Sequence, residues 1–565
     1  MTDPVSAIIE SSSLLRPGEC LRCEVCCRFP SAASPLAPYF SHAEMEQAVA
    51  AGMPGDAFPP GRYGPGSSAR LVPEVRTVND ERRSTSSLIT HTSSFAEGPA
   101  LRLGSGSLAF RCPAFRPVTN DCAAYAARPL DCRLYPFMLL YDADGKEVFL
   151  GLDTYCPAFA NFSTPAGAAE LRRAGATAGK PAGARLWNAE CGVRNMENSP
   201  QSALRNPHFA ELASLLDGAL LEKVVASRGI VGARKDHVRR LRPLPALTRA
   251  LCRTDLGLAR LVPTARERLL PFFDANRGAH SFHAFAPIYV WSDIFDLRYK
   301  ISGGRLLVFA EGDGDCFLIC PPLGTGDALR PAEDALATMR QLAPRGASPR
   351  IQDADDDSAR RLAEAGWRIR ETRVEYLYPR AQLADLRGNR YEKKRQLCNR
   401  FEHDVKDRRW RALEPDDLPV AMALYSNWLK ERTAAHPGEV YAAQAEASWR
   451  TLYRALRDAE ALQLVARALE ANGRMAGFTV GCPLHDGGLA RRSFSEGGTF
   501  HVMFEVSDLS VKGAAQYMFR ELCREVQSFE RINAGSASDL DNLARVKESY
   551  RPSERLNSHT LVPPL

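Results

Sequence analysis

The 565-residue sequence predicts an α+β protein made of two unlike modules: a loop-rich, cysteine-clustered metal domain, then a strand-and-helix series that occurs twice in tandem. Two observations carry this. Eight of the 15 cysteines fall between Cys20 and Cys156. From about residue 280, short apolar strands alternate with amphipathic helices, and the series recurs after residue 416 with different content. The expected segments are 1–160 for the cysteine module, 161–280 for a mainly helical linker, and 281–385 and 386–565 for the tandem parts.

Composition narrows the class. With 45% hydrophobic and 25% charged residues the chain is globular, and a net charge of +6 is too mild to imply nucleic acid by itself. Met1–Glu19 lacks a basic start followed by an apolar run, and no stretch reaches the roughly 20 apolar residues that cross a bilayer. The expectation is a soluble, cytoplasmic protein without a transmembrane segment. Thiols stay reduced in that compartment, so clustered cysteines point to metal ligands or redox groups.

The elements follow in order. Residues 52–70 are rich in Pro, Gly and Ser, a loop signature. Leu139–Tyr141 and Glu147–Leu152 flank Asp144-Gly145 as a hairpin. Residues 208–270 carry helical spacing at Phe209, Leu212, Leu215 and Leu216. Leu306–Ala310 and Cys316–Cys320 predict strands, Ala332–Ala343 a helix, and Asp357 a cap for a helix over 358–365 that Gly366 ends. Val374, Tyr376 and Tyr378 alternate as a strand. Asp416, Asp417 and Pro419 open the next helix, and Trp449, Leu452, Tyr453 and Leu456 share one helical face. Asn472-Gly473 joins strands at 462–469 and 475–480. A strand over 499–506, a helix over 513–529, a strand over 529–532 and a helix over 540–549 complete the series.

The cysteine run is Cys20-Leu-Arg-Cys23-Glu-Val-Cys26-Cys27, followed by Cys112-Pro, Asp121-Cys122, Arg128-Pro-Leu-Asp-Cys132-Arg-Leu-Tyr-Pro-Phe137 and Cys156-Pro157. Two-residue gaps let successive thiolates converge on one ion, whereas adjacent Cys26 and Cys27 diverge, so the two serve different ions or one stands behind the other. Eight thiolates suit two four-cysteine centres, and zinc or an iron–sulfur cluster fits the donor count equally. Arginines beside the ligands offset the excess negative charge. The motif set resembles the zinc- or iron-chelating CxxCxxCC (YkgJ-like cysteine cluster) family over about 20–157. That resemblance implies a metal-ion partner and says little about reaction. The 84 residues between Cys27 and Cys112 are a longer insertion than compact members carry.

The C-terminal half holds a basic run, Arg387 to Arg411, with ten Lys or Arg against four Asp or Glu. Such a run either meets phosphate or forms a solvated helix face. Asn533 and Asp539 are expected at the carboxyl edge of a strand, where ligands bind in α/β sheets, although Asp539 could equally cap the following helix. Glu505 stands near the end of the 499–506 strand. His280-Ser-Phe-His283 is expected to be a surface turn rather than a metal site, and Cys316 and Cys320 core residues.

Leu386-x-Gly-x-x-Tyr-x-x-Lys-Arg with Asn399 and Phe401, Lys512-Gly-Ala-Ala-Gln516, and the Asn533…Asp539-Leu540…Lys547-x-Ser-Tyr-x-Pro552 ending resemble the phosphatidylglycerol lysyltransferase C-terminal domain family over about 281–557. This resemblance implies a tandem GNAT-like acyltransferase fold. It also implies transfer of an aminoacyl or acyl group from aminoacyl-tRNA or acyl-CoA to a lipid head group or small amine. Lys394, Arg395, Asn399, Gly513, Asn533 and Arg545 are the expected donor-binding residues, with Glu505 and Asp539 catalytic. The pyrophosphate loop of acetyl-CoA-dependent relatives survives only as Ser510-Val-Lys-Gly513-Ala-Ala515, without its leading basic or amide residue. The alternatives are a metal-binding module with a non-catalytic GNAT-like scaffold, and iron–sulfur redox chemistry.

Overall fold

The structure, a computed structural model, describes residues 27–29, 31–34, 37–58, 66–74, 109–116, 121–153, 207–233, 235, 238–276, 278–312, 314–343, 348–435, 439–484, 498–537 and 540–564. The chain divides into two compact units, Met1–Asp255 and Leu256–Leu565.

In the first unit the strands are short. β1 (Arg28–Phe29), β2 (Tyr39–Ser41), β3 (Gly66–Ser68), β4 (Val72–Glu74), β5 (Ala109–Arg111), β6 (Phe115–Arg116) and β7 (Asp121–Cys122) form the small sheets β1-β5-β4, β2-β3 and β6-β7. Helix α1 (His42–Ala50) starts on a capping box: Ser41 Oγ accepts from the Glu44 N–H, and Glu44 Oε2 accepts from the Ser41 N–H at 3.0 Å. The other Glu44 oxygen accepts from the Leu130 N–H at 2.9 Å, tying α1 to α2 (Leu130–Leu134). The hairpin of β8 (Phe137–Tyr141) and β9 (Val148–Asp153) turns at Gly145, which has φ +69°. Every residue of β9 is buried.

Helices α3 (Pro207–Asp217), α4 (Leu221–Ala226) and α5 (Pro245–Cys252) agree with the helical spacing. Between them β10 (Val238–Pro243) pairs antiparallel with β9. That strand, Val-Arg-Arg-Leu-Arg-Pro, departs from the expected helical linker. Its charged residues tolerate a sheet edge, and β9 offers the partner backbone. The boundary between the two compact units falls between Asp255 and Leu256.

The second unit contains β11 (Ala259–Arg260), α6 (Arg266–Asp274), α7 (Phe285–Tyr289), β12 (Asp296–Ser302), β13 (Arg305–Gly312), β14 (Asp315–Leu318), α8 (Leu329–Leu342), β15 (Ile351–Ala354), α9 (Asp356–Glu364) and β16 (Arg368–Pro379). After α10 (Arg380–Asp385) and α11 (Glu392–Asp404) come β17 (Arg408–Ala412), α12 (Leu418–Ala435), α13 (Glu439–Arg457), β18 (Val465–Ala471), β19 (Arg474–Leu484), β20 (Thr499–Ser507), α14 (Ala514–Glu525), β21 (Arg531–Ser536), α15 (Asp541–Glu548) and β22 (Glu554–Val562). The Asn472-Gly473 turn has both residues at positive φ, 52° and 74°, as a tight hairpin requires. The cap of α9 falls two residues earlier than expected: Asp355, not Asp357, accepts from the Ser358 N–H at 2.7 Å.

Among the described residues these strands form one twelve-stranded sheet, ordered β11-β12-β13-β14-β15-β22-β16-β21-β20-β19-β18-β17. The order is palindromic. Exchanging β11–β15 with β17–β21, and β16 with β22, reverses the sheet onto itself. Both parallel pairs, β14–β15 and β20–β21, occupy matching places, and every other pairing is antiparallel. The tandem repeat read from sequence is therefore present, but its two parts trade their last strands. β22 completes the first half and β16 the second. α10, α11 and α14 cover the second half through Tyr378, Leu383, Tyr391, Cys398, Phe500, Leu522 and Ile532, all at most 2% exposed.

Candidate functional site

The site lies where the second parallel pair comes apart. β20 and β21 pair only at Thr499–Arg531, Phe500–Ile532 and His501–Asn533. Beyond that, β20 runs on to Ser507 against β19, and β21 runs on to Ser536 against β16. The carboxyl ends of two parallel strands thus diverge, the position at which α/β sheets take ligands.

Glu505 projects from the diverging part of β20. It is half-buried and makes no hydrogen bond or ion pair to any described residue. Burial pushes its carboxyl up to about 8, and the Lys547 ammonium pulls against that rise. Lys547, on α15, is itself lowered to about 8 by burial, opposed by Glu375 and Glu505. Its ammonium donates to the carbonyls of Ala534 (2.6 Å), Gly535 (3.1 Å) and Ser536. Three donors meet three acceptors, so Lys547 holds the end of β21 in its parted position while lending a charge to Glu505. Gly535 at φ +69° supplies the local bend. Sequence reasoning placed Lys547 only inside a motif, because nothing in its spacing says that an ammonium is turned inward.

Behind the cleft sits a buried polar group. Asn533 donates to Glu375 Oε2 and to the Ala279 carbonyl, both at 2.6 Å, and its Oδ1 accepts from the Gly535 N–H at 2.6 Å. Ser281 gives Glu375 its N–H (3.0 Å) and its hydroxyl (2.6 Å). His501 Nδ1 lies 3.2 Å from the Asn533 carbonyl. Burial opposes ionisation of Glu375, yet the His501 imidazole, Ser281 and Asn533 hold its carboxyl below the usual range. His501 is lowered by burial, against the pull of Glu375. Asn533 was expected to bind a ligand. Its amide is spent within the protein, so it anchors the cleft wall instead.

The remaining expected residues separate. Lys394 is half-buried, with Nζ 4.0 Å from the centre of the Tyr550 ring, and burial lowers its pKa. Glu505 acts electrostatically on that same tyrosine, which connects Lys394 to the cleft. Arg395 donates to the carbonyls of Leu386 and Gly388 (2.7 Å to the latter), closing the loop before α11 rather than presenting a free guanidinium. Asn399 and Arg545 are both exposed. Gly513 precedes α14 at φ +85°, and a Cβ there would lie 2.2 Å from the Leu397 carbonyl oxygen. This glycine therefore serves helix-on-helix approach. Asp539 lies outside the described residues.

Three of the ten basic residues of the run are neutralised by acids nearby. Arg411 pairs with Asp417 and Glu470, Arg400 with Asp404, and Arg387 with Asp385.

Of the eight clustered cysteines, Cys20, Cys23, Cys26 and Cys156 lie outside the described residues. The Cys112 N–H donates to the Cys27 carbonyl at 2.9 Å, setting those residues side by side, and the Phe115–Cys122 pairing brings Cys122 to the same turn. Cys132 sits on α2. Cys252, Cys316, Cys320, Cys398, Cys482 and Cys523 are buried, as core residues should be, and burial pushes the Cys316 thiol up to about 12. Cys191 is outside the described residues.

His280 and His283 depart from expectation. They are 8% and 4% exposed, not a surface turn.

Among the described residues no helix is long and apolar enough to cross a membrane. No curated protein matches the chain. Similar solved structures include a conserved protein of unknown function from Bacteroides thetaiotaomicron, with TM-score 0.47 and 20% identity over 54% of this chain and 99% of that one. L-PGS from Bacillus licheniformis has TM-score 0.38 and 15% identity over 53% of this chain and 91% of that one. A tandem GNAT protein from the clavulanic acid biosynthesis pathway has TM-score 0.32 and 15% identity over 54% and 97%. The family model described as phosphatidylglycerol lysyltransferase, C-terminal, matches residues 276–558, half of the chain and the segment that holds the parted strands, Glu505 and Lys547. The chain belongs to the phosphatidylglycerol lysyltransferase C-terminal family.

Proposed function

We propose that the second unit transfers an aminoacyl group from aminoacyl-tRNA to a lipid head group, with the reacting carbonyl held between the parted ends of β20 and β21. The observation that carries this reading is Glu505, a half-buried carboxyl without a partner among the described residues, at the point where two parallel strands diverge. A carboxyl raised to about 8 is matched to proton transfer near neutral pH. In the proposed step the acceptor oxygen or nitrogen attacks the ester carbonyl and gives its proton to the Glu505 carboxylate. Collapse of the tetrahedral intermediate releases the terminal ribose hydroxyl of the tRNA, which takes the proton back. Backbone N–H groups along the parted edges are the donors available to the transient oxyanion. Lys394, beside Tyr550, is the cation best placed for a donor phosphate. An acyl-CoA donor has less support, because Gly513 is committed to packing against Leu397.

For the first unit we keep the metal reading and a cytoplasmic location. Cys20, Cys23, Cys26, Cys27, Cys112, Cys122, Cys132 and Cys156 would hold zinc or an iron–sulfur cluster, a donor set of soft thiolates suited to either. When bound, the metal would supply folding energy to a unit of short strands.

The test incubates the full chain with radiolabelled lysyl-tRNA and phosphatidylglycerol vesicles and follows label into lipid. Glu505→Gln should lower the rate about 100-fold or more. Wild-type rates from the glutamine variant would overturn the assignment.

A further inference from the structure

We propose that His280, His283 and Asp355 form a binding site for a divalent transition cation of the zinc type. One ligating atom from each lies within 4.8 Å of the other two, the sole such set of three or more His, Cys, Asp or Glu side chains among the described residues. The site belongs wholly to the second unit and shares none of the clustered cysteines.

The local fold assembles it. The His283 N–H donates to the His280 carbonyl at 3.1 Å, closing a 3₁₀ turn over Ser281–His283. Residues three apart on such a turn stand above one another, and the two rings sit 5.6 Å apart, centre to centre. His280 Nε2 is 2.9 Å from the Asn557 carbonyl. A carbonyl only accepts, so Nε2 carries the proton and Nδ1 keeps its lone pair. A histidine braced in this way by a backbone carbonyl is the usual metal-ligand arrangement. Asp355 caps α9 through Oδ1, which leaves Oδ2 at 3.7 Å from His283 Nε2. That separation is too long for a hydrogen bond. It is close to the edge of about 3.3 Å expected of two ligands bound at about 2.0–2.1 Å to one tetrahedral ion.

His283 supplies the independent observation. It is 4% exposed, its Nδ1 has no hydrogen-bond partner among the described residues, and its Nε2 faces the Asp355 carboxylate at 3.7 Å. A cation seated between Nε2 and the Asp355 oxygen would bond both of these groups, which their 3.7 Å separation leaves without a hydrogen bond to each other. Gly278 fixes the ring, because a Cβ there would lie 2.1 Å from His283 Cε1. Two imidazoles and one carboxylate, completed by water, favour zinc or cobalt over magnesium or calcium.

The experiment uses the full chain, stripped with chelator and dialysed against Zn²⁺ or Co²⁺, with bound metal counted by atomic absorption. His283→Gln should carry one equivalent less than wild type. Asp355→Asn, which keeps the α9 cap, should bind that equivalent at least tenfold more weakly. In the Co²⁺ protein the lost equivalent should remove visible ligand-field bands while leaving near-ultraviolet thiolate absorption unchanged, which separates it from the cysteines. Gly278→Ala, which displaces the ring without removing a ligand, should also weaken binding. Circular dichroism confirms that each variant is folded. Unchanged stoichiometry and affinity in folded Asp355→Asn and His283→Gln would overturn the site.

Discussion

Asn533 on β21 and Glu375 on β16 are joined at 2.6 Å, so the strand that walls the cleft is bolted to a strand contributed by the other half of the repeat. Glu375 is 5% exposed and its charge is tolerated because Asn533, Ser281 and the nearby His501 face it. Asn533→Ala should cost about 3 kcal/mol in urea unfolding, since it strips a donor from a buried carboxylate and leaves the Ala279 carbonyl unpaired. Asn533→Asp should cost more, because it sets a second carboxylate against the first. Equal stability of the two variants would contradict this account.

The transfer rate should rise with pH through about 8, where the Glu505 carboxyl ionises, and the limb should vanish in Glu505→Gln. Lys547→Met removes the ammonium that pulls the carboxyl down, so the limb should move to higher pH. The same shift bears on stability. The folded-state value stands above the usual 4.5, so folding favours the protonated form. That contribution is complete below pH 4.5 and is lost as pH rises through about 8. Relative to Glu505→Gln, the wild type should therefore lose stability across that interval, as measured by denaturant midpoints at fixed pH values.

Two glycines at positive φ should respond differently to alanine. Gly473, at φ +74° in its hairpin, has open space where a Cβ would stand, and Gly473→Ala should cost about 1–2 kcal/mol for the backbone alone. Gly513 adds a collision with the Leu397 carbonyl to its φ of +85°. Gly513→Ala should cost at least about 1 kcal/mol more, because α11 must shift from α14. Thermal unfolding of the pair of variants checks the order.

Arginines of the basic run should separate by what they touch. Arg395→Ala opens the Leu386 and Gly388 carbonyls and should lose about 1–2 kcal/mol. Arg400 makes only an exposed i,i+4 pair with Asp404, and Arg400→Ala should stay within about 0.5 kcal/mol. Chemical denaturation that ranks them the other way would return the run to a simple charged surface.

What was legible in the sequence was local. The Asn472-Gly473 turn, the Asp144-Gly145 hairpin and the Trp449, Leu452, Tyr453 and Leu456 face of α13 each follow from chemistry within a few residues. The repeat was also visible, since the order of elements needs no partner information. Partner choice was hidden. Alternation along Val374, Tyr376 and Tyr378 announces a strand without saying that it lies between β22 and β21. β10 was obscured because its arginines resemble a surface segment until β9 supplies the hydrogen bonds. Burial was the other blind spot. Glu505 was singled out from its place at a strand end, but Lys547, Glu375 and the His280–His283 turn owe their environments to segments far away along the chain, as the Ser281–Glu375 and His280–Asn557 contacts show.

The exchange of β16 and β22 has a consequence during synthesis. β15 has one neighbour, β14, as soon as it leaves the ribosome, but its other edge waits about two hundred residues for Glu554–Val562. Until then the nascent first half carries an open strand edge, and open edges invite pairing with other chains. Closure of the parted strands around Glu505 depends on β16, made far earlier, being free to receive β21. The first half therefore matures only when the last strand is made, and a ribosome that stalls before Glu554 releases a chain whose first half lacks β22.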